Sequence, residues 1–375
     1  MVKNVLRLAL GLALVACSSS EEPQTILDFK LEEQGAYAVQ YREADGSFTI
    51  VDTLVIQGAD RFVARFDTTR LLSFIPLEGN LPVVHAVVGP NKSELVIDSE
   101  GLISGNAENN WLGVQRKMQL DLIAFIDSLD RIREGYSDSI TFNGLSVLDS
   151  VFGAYADGYR QRILDSLAAA PQRLSNLLTQ YHRIGREPVV DYSADKALFD
   201  GMKEALQEKY PMAPDVTVFS NQINEYREAQ VFTDQVIDSE DKFQPGAYFP
   251  ELFLQSVNGS STHLKRNSLD NHVVLVWASW CSECRLQHIS AIKEGADQSN
   301  WIYLSLDGLE SQRNAVAEWQ SAILQDGLEG LQLSDLGGQK SSVISTLGVR
   351  TLPLYFRVVD GKILKRTNSL QEALK

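Results

Sequence analysis

Val273-Val274-Leu275-Val276 is an unbroken apolar run. It leads through Trp277-Ala278-Ser279-Trp280 into Cys281-Ser282-Glu283-Cys284, and then into Arg285-Leu286-Gln287-His288-Ile289. An apolar strand feeding a C-x-x-C at the start of a helix is the layout of a dithiol redox centre. The strand anchors the scaffold. The helix N-terminus turns its unpaired N–H groups and the positive end of its dipole towards the first sulfur. That favours thiolate over thiol, and the thiolate is the nucleophile.

The spacing assigns roles. Cys281, at the helix start, is the expected attacking thiolate and should be partly exposed. Cys284, one turn further in, is the resolving thiol: it attacks the Cys281 sulfur of a mixed disulfide and releases the reduced client. The other expected support residues are Trp280, an apolar docking wall beside Cys281, and Ser282 and Glu283 inside the motif. Glu283 carries three open readings. Its charge can oppose the helix dipole and raise the Cys281 pKa, making the couple more reducing. It can act as a base for Cys284. Or it is a solvated helix-start residue. Trp277 is expected in the core, and His288 as an exposed histidine on the Cys284 face. A zinc site needs two further ligands. The sequence has no second C-x-x-C, and its five histidines (His85, His182, His263, His272, His288) are scattered.

Three motifs in order extend the pattern. Pro245-Gly246-Ala247-Tyr248-Phe249-Pro250 precedes Leu252-Phe253-Leu254 and Asn258-Gly259. After the C-x-x-C, Leu347-Gly348-Val349-Arg350-Thr351-Leu352-Pro353 precedes the strand-like Leu354-Tyr355-Phe356-Arg357-Val358-Val359 and the turn Asp360-Gly361. Over residues 243–375 the chain resembles the TlpA/ResA-like group of thioredoxin-fold thiol–disulfide oxidoreductases. The resemblance implies a cis bond between Leu352 and Pro353, facing the dithiol, with the neighbouring backbone free to pair with a client. It implies no cofactor beyond a redox-active Cys281–Cys284 disulfide. Four positions depart from the group. Glu283 stands where proline precedes the second cysteine. Leu275 stands where a buried acid lies six residues before the first. Ile289 replaces the helix proline, and Gln287 a frequent glutamate.

The N-terminus reads as a targeting segment. Lys3 and Arg7 precede an apolar stretch, Leu8 to Ala16, that is too short to span a bilayer. Leu14-Val15-Ala16-Cys17 resembles a bacterial lipoprotein signal. That resemblance implies cleavage before Cys17, lipid on Cys17, and Ser18-Ser19-Ser20-Glu21-Glu22-Pro23 as a polar tether. Ser18 after the cysteine points to the outer membrane. The alternative is an ordinary secretory signal with Cys17 a free thiol. With Cys17 lipidated, Cys281 and Cys284 are the pair left of three cysteines.

The intervening sequence changes period once. Residues 25–110 show short alternating runs with Gly/Asp turns: Tyr37–Tyr41, Phe48–Leu54, Arg61–Phe66 and Glu94–Asp98. They predict a small β-sandwich or barrel, and resemble the DUF4369-like β-domain of envelope lipoproteins. Residues 111–242 predict helices. Leu122, Ile126, Leu129 and Ile132 share one face, as do Leu148, Val151, Phe152, Tyr155, Tyr159, Ile163 and Leu167. A third helix is expected from Pro171 to Gly185, and a fourth capped by Ser193 and stopped before Pro211. This region is expected as a connector or dimer surface. Beyond the C-x-x-C, Trp301–Asp307 predicts a buried strand, Glu310–Leu324 a crossover helix, and Asp307 that helix's cap.

The whole chain thus predicts a signal peptide (1–16), a tether (17–24), an all-β domain (25–110), a helical segment (111–242) and an α/β thioredoxin fold (243–375). A net charge of −15 argues against nucleic-acid binding. The expected function is a thiol–disulfide oxidoreductase, as a reductant, on the periplasmic side of the envelope and anchored in the membrane by lipid. Its expected partners are disulfide-bearing envelope proteins, and the resemblance implies a membrane electron donor of the DsbD/CcdA type. The competing reading is an envelope binding lipoprotein whose thioredoxin fold is only a scaffold.

Overall fold

The computed structural model describes residues 24–135 and 142–375. The readings made for the signal segment, the tether and Cys17 lie outside the described residues, save for Gln24. The chain forms two compact units, residues 1–224 and 225–375.

In the first unit two four-stranded sheets share one core with the helices that follow them. One sheet runs β4 (Ala59–Ala64), β1 (Thr25–Lys30), β7 (Ser93–Ile97), β8 (Ile103–Ser104). The other runs β3 (Phe48–Ile56), β2 (Gly35–Arg42), β5 (Arg70–Glu78), β6 (Val84–Val88). Phe29, Phe62 and Phe74 meet edge-on at centroid distances of 5.1 and 5.5 Å. Helices α1 (Ala107–Gly135) and α2 (Phe142–Ala169) bring Trp111, Leu122, Tyr159, Ile163 and Leu167 into the same core.

The expected break at residue 110 therefore falls inside one core. Buried Asn109 shows why. Its amide accepts from Val87 N at 2.8 Å and donates to Val87 O at 2.9 Å, satisfying the edge strand β6 as a further strand would. Glu108 receives Ser175 N, Ser175 Oγ and Tyr210 Oη at 2.7–3.0 Å, which ties the start of α1 to two later segments.

The helical stripe is buried only in part: Ile132 and Val151 are exposed. The third expected helix is a 3-10 segment, Leu174–Tyr181, and Gly185 turns a two-residue hairpin between β9 (Arg183–Ile184) and β10 (Glu187–Pro188). The fourth, α3 (Lys196–Lys209), has Asp195 rather than Ser193 at its cap position, because the Ser193 hydroxyl is engaged by Asp191. Pro214 opens α4 (Pro214–Lys242), within which the two units divide. Among the described residues no helix is long and apolar enough to cross a membrane.

The second unit is a seven-stranded sheet in the order β12 (Ser261–Leu264), β11 (Leu252–Ser256), β15 (Leu331–Ser334), β14 (Trp301–Ser305), β13 (His272–Trp277), β16 (Leu354–Val359), β17 (Lys362–Thr367). β13, β14 and β15 are mutually parallel, while β16 and β17 run antiparallel. Helices α5 (Ser282–Lys293) and α6 (Ala315–Asp326) make the two crossovers. α7 (Ser342–Leu347) precedes β16, and α8 (Leu370–Leu374) ends the chain. In chain order the unit runs hairpin (β11–β12), βαβ, second crossover, hairpin (β16–β17) and short helix. β13 is flanked by a strand on each edge, and its apolar residues Val273 to Trp277 have no exposed surface. Burying each such side chain contributes roughly 1.5–3 kcal/mol.

Two boundaries depart from expectation. The crossover helix starts at Ala315, not Glu310, because Asn314 caps it, accepting from Ala317 N at 3.1 Å. α7 closes on Gly348, whose φ is +66°, and an added Cβ would lie 2.2 Å from Glu240 N in α4. Gly348→Ala should therefore lower the stability of the second unit by at least about 2 kcal/mol, combining left-handed strain with the clash. Urea unfolding followed by tryptophan emission checks this, since four of the five tryptophans (Trp277, Trp280, Trp301, Trp319) belong to that unit.

Candidate functional site

β13 ends at Trp277, and the chain turns through Ala278, Ser279 and Trp280 with Cys281 N bonded to Ala278 O at 3.0 Å. Cys281 is the N-cap residue of α5, and its sulfur accepts from Cys284 N at 3.2 Å. The first sulfur thus sits on the unpaired N–H groups of a helix start. Cys281 and Cys284 are joined as a disulfide with Cα atoms 5.3 Å apart. Cys281 keeps 8% of its surface and Cys284 none, so attack from outside can reach only the first sulfur. Cys281 is more enclosed than its spacing suggests. Trp280 stands beside it, 46% exposed, while Trp277 is fully buried. Ser282 and Glu283 are both exposed.

Val276 pairs with Leu354, so the chain leaving β13 and the chain entering β16 lie at the same end of neighbouring strands. That brings the Leu352–Pro353 turn to the dithiol's edge of the sheet. The Leu352–Pro353 bond is cis. Neither the N–H nor the C=O of Leu352 has a hydrogen-bond partner among the described residues, whereas Pro353 O accepts from Asn368 Nδ2 at 2.5 Å.

Glu283 points along the outer side of α5. Its carboxylate accepts from Gln287 Nε2 at 2.9 Å, and Gln287 Oε1 accepts from Leu370 N at 2.9 Å. The residue that departs from the group's frequent glutamate therefore ties α5 to α8. Burial, and then Glu283's charge, hold the Tyr355 phenol above its ordinary value.

Two residues are not where the sequence reading put them. Asp307 does not cap α6. It is fully buried and accepts from Ser279 N at 3.0 Å, Ser279 Oγ at 2.5 Å, Ser305 Oγ at 2.5 Å and Gln312 Nε2 at 2.7 Å. A short carboxylate at the end of buried β14 finds donors on the adjacent turn before it meets the next helix. Asp307 thus clamps the turn that carries Trp280 and Cys281. The signal available in the sequence was the pair of Ser-containing strand ends, Ser279 and Ser305, flanking a lone acid.

His288 is not exposed. It has no accessible surface and lies 5.7 Å from Trp277, 5.4 Å from Tyr303 and 6.0 Å from Tyr355, centroid to centroid. A position four residues, about one turn, beyond Cys284 carries it to the sheet side of α5, the same side that buries Cys284. Burial lowers its pKa to about 4, so it is neutral near pH 7. Among the described residues no group of His, Cys, Asp and Glu side chains is arranged to hold a metal.

No protein-family model matches the chain, and no curated protein matches it either. Solved structures similar to part of it are thioredoxin-fold domains of thiol–disulfide oxidoreductases. They include the C-terminal domain of a Bacteroides thetaiotaomicron protein described as a thiol-disulfide oxidoreductase (24% identity, TM-score 0.29, covering 35% of this chain and 93% of that one). A thiol-disulfide oxidoreductase from Bacteroides fragilis is 24% identical with a TM-score of 0.27, covering 34% of this chain and 93% of its own. The thioredoxin domain of a Bacteroides vulgatus thiol-disulfide oxidoreductase is 21% identical with a TM-score of 0.28, covering 35% and 92%.

Asp307→Ala leaves two buried hydroxyls, the Ser279 backbone amide and the Gln312 side-chain amide without their shared acceptor. It should cost about 2–4 kcal/mol. Hydrogen exchange at Ser279 N should accelerate well beyond that of neighbouring β13 amides, and Asp307→Asn should lie between the two.

Proposed function

We propose that the chain is a thiol–disulfide oxidoreductase of the cell envelope that acts as a reductant. The observation that carries the reading is the asymmetry of the Cys281–Cys284 pair. One sulfur is reachable and seated on helix-start N–H groups, and the other is sealed beneath it. That is the arrangement exchange chemistry needs. The Cys281 thiolate attacks a client disulfide sulfur, one client thiolate leaves, and a mixed disulfide remains. Cys284 then attacks the Cys281 sulfur, the client's second sulfur leaves as thiolate, and the internal disulfide forms. Two electrons pass to the client, and a donor of the DsbD/CcdA type restores the dithiol.

Exposed Trp280 and the unpaired Leu352 backbone support docking of an extended client segment, with main-chain bonds for affinity and the indole for apolar contact. Clients are disulfide-bearing envelope proteins. The anchor is lipid on Cys17, more consistent with the outer membrane, by the signal pattern at the N-terminus. Pro353 and Leu352 serve as client-side support, and Ser282 and Glu283 as the solvent face of the motif. A purely supporting role for the thioredoxin-like unit leaves the reachable sulfur and the exposed indole without purpose.

A redox titration of the full chain should show a reversible two-electron couple more negative than about −250 mV, below the glutathione pool. Insulin-disulfide reduction should accompany it and fall at least about a hundredfold in Cys281→Ser. An oxidising midpoint overturns the direction, and a couple that does not cycle overturns the activity. Glu283→Gln should lower the Cys281 pKa by about 0.5 unit, the Coulomb energy of one carboxylate roughly 6 Å away in water. The potential should become less negative by roughly 15 mV. Thiolate absorbance at 240 nm and the same titration read both.

A further inference from the structure

Exchange requires Cys284 to lose its proton while fully buried, and a lone buried thiolate is costly. The group able to accept that proton has to lie on the same side of α5. Leu275 occupies β13 at the level where its neighbours are Tyr303 on β14 and Tyr355 on β16, directly opposite it in both ladders. Opposed residues share a sheet face, and Trp277, two residues on, shares it too. His288 makes ring contacts with Tyr303, Tyr355 and Trp277. It therefore lies on the sheet face that Leu275 shares with these rings, one turn of α5 beyond Cys284. Residues four apart on a helix have Cβ atoms about 5–6 Å apart, so the Cys284 and His288 side chains are neighbours on the buried side of α5.

Both ring nitrogens of His288 are buried without a hydrogen-bond partner. A fully buried imidazole with two unmet nitrogens is unusual enough to need a reason. The charged groups around it are few. Asp326, at the end of α6, is held by Arg285 of α5 at 2.6 and 2.7 Å. Glu283 lies on the outer side of α5, bonded to Gln287. β14 and β16 present the phenols of Tyr303 and Tyr355, both raised by burial and so neutral. β13 presents Trp277 and Leu275, and α8 presents buried Leu370 and Ala373.

Resting on the exchange activity proposed above, we infer that His288 is the proton acceptor for Cys284. In the mixed disulfide the Cys284 thiol passes its proton to a His288 ring nitrogen, giving a buried thiolate–imidazolium pair instead of an isolated charge. The thiolate attacks Cys281 Sγ. The bond from Cys281 to the client sulfur breaks, and its electron pair leaves with the client. The imidazolium then returns its proton, by way of solvent, to the departing thiolate. The sum is a client thiol and an internal disulfide, with His288 neutral again.

The test follows the Cys284 titration directly. The full chain, labelled with 13Cβ-cysteine and kept reduced, is titrated by NMR as wild type, His288→Leu and His288→Met. Wild-type Cys284 should titrate at least one pH unit below the value in either variant. The resolving rate of a mixed disulfide with a small aromatic thiol should slow at least tenfold at pH 7, with Cys281's own titration unmoved. His288→Met preserves volume, so it remains readable if the leucine variant does not fold. An unchanged Cys284 titration in a folded variant overturns the inference, whatever the enzyme does to insulin. A wild type that shows the shift yet reduces no disulfide leaves the inference standing and sinks the oxidoreductase reading instead.

Discussion

Everything around the dithiol depends on β13 being buried on both faces. A strand with Val273 to Trp277 fully enclosed and a partner on each edge has no freedom to slide. A one-residue slip would reverse every side chain, exchanging Leu275 and Trp277 for Val274 and Val276 against α5. The position of Cys281 is therefore set by the register of a ladder several residues away. Asp307 finishes the placement. Its two bonds from Ser279 fasten the end of β14 to the turn after β13, and those from Ser305 and Gln312 hold the carboxylate in place, so the two parallel strands deliver the Trp280–Cys281 turn as one rigid piece.

The C-x-x-C, the strand before it and the Leu352–Pro353 turn were legible because each is a local pattern. Four or five adjacent residues carry the period or the turn, and the fold of the second unit follows from their order. Asp307 and His288 were not legible because their environments are assembled from three or four separated strands. A single polar residue after an apolar strand looks like a cap, and a histidine among polar neighbours on a helix looks solvated. Only the sheet register shows that Tyr303 and Tyr355 converge with Leu275 beneath α5. The same limit affected the first unit. The change of period at residue 110 is real, but a change of period marks a change of element and not of core. Asn109 and Glu108 sit at that change and bind both sides of it.

The absence of an acid at Leu275 can be weighed against what replaces it. An aspartate there would have to stay hydrogen-bonded or protonated among Trp277, Tyr303 and Tyr355, all of them buried. Leucine removes that cost and adds apolar packing of roughly 2 kcal/mol. The polar requirement is then moved from strand to helix, where His288 meets it as a neutral group. A neutral imidazole is far cheaper to bury than a carboxylate, and it acquires charge only when the thiolate does.

The direction of the proposed redox chemistry turns on a similar comparison at Cys281. The bond from Cys284 N to its sulfur, at 3.2 Å in a nearly closed site, favours the thiolate by roughly 1.5–3 kcal/mol once charge develops. The helix dipole adds about 0.3–1 kcal/mol. Against these, Glu283 is exposed, and Coulomb's law in water allows it about 0.7 kcal/mol at about 6 Å. On this comparison the helix start outweighs Glu283 in the proposed dithiol form. Glu283 trims the advantage without cancelling it. A nucleophile activated by this moderate margin stays reactive near neutral pH. It also avoids the deeply stabilised thiolate that would make the dithiol form too favourable and turn the couple into an oxidant.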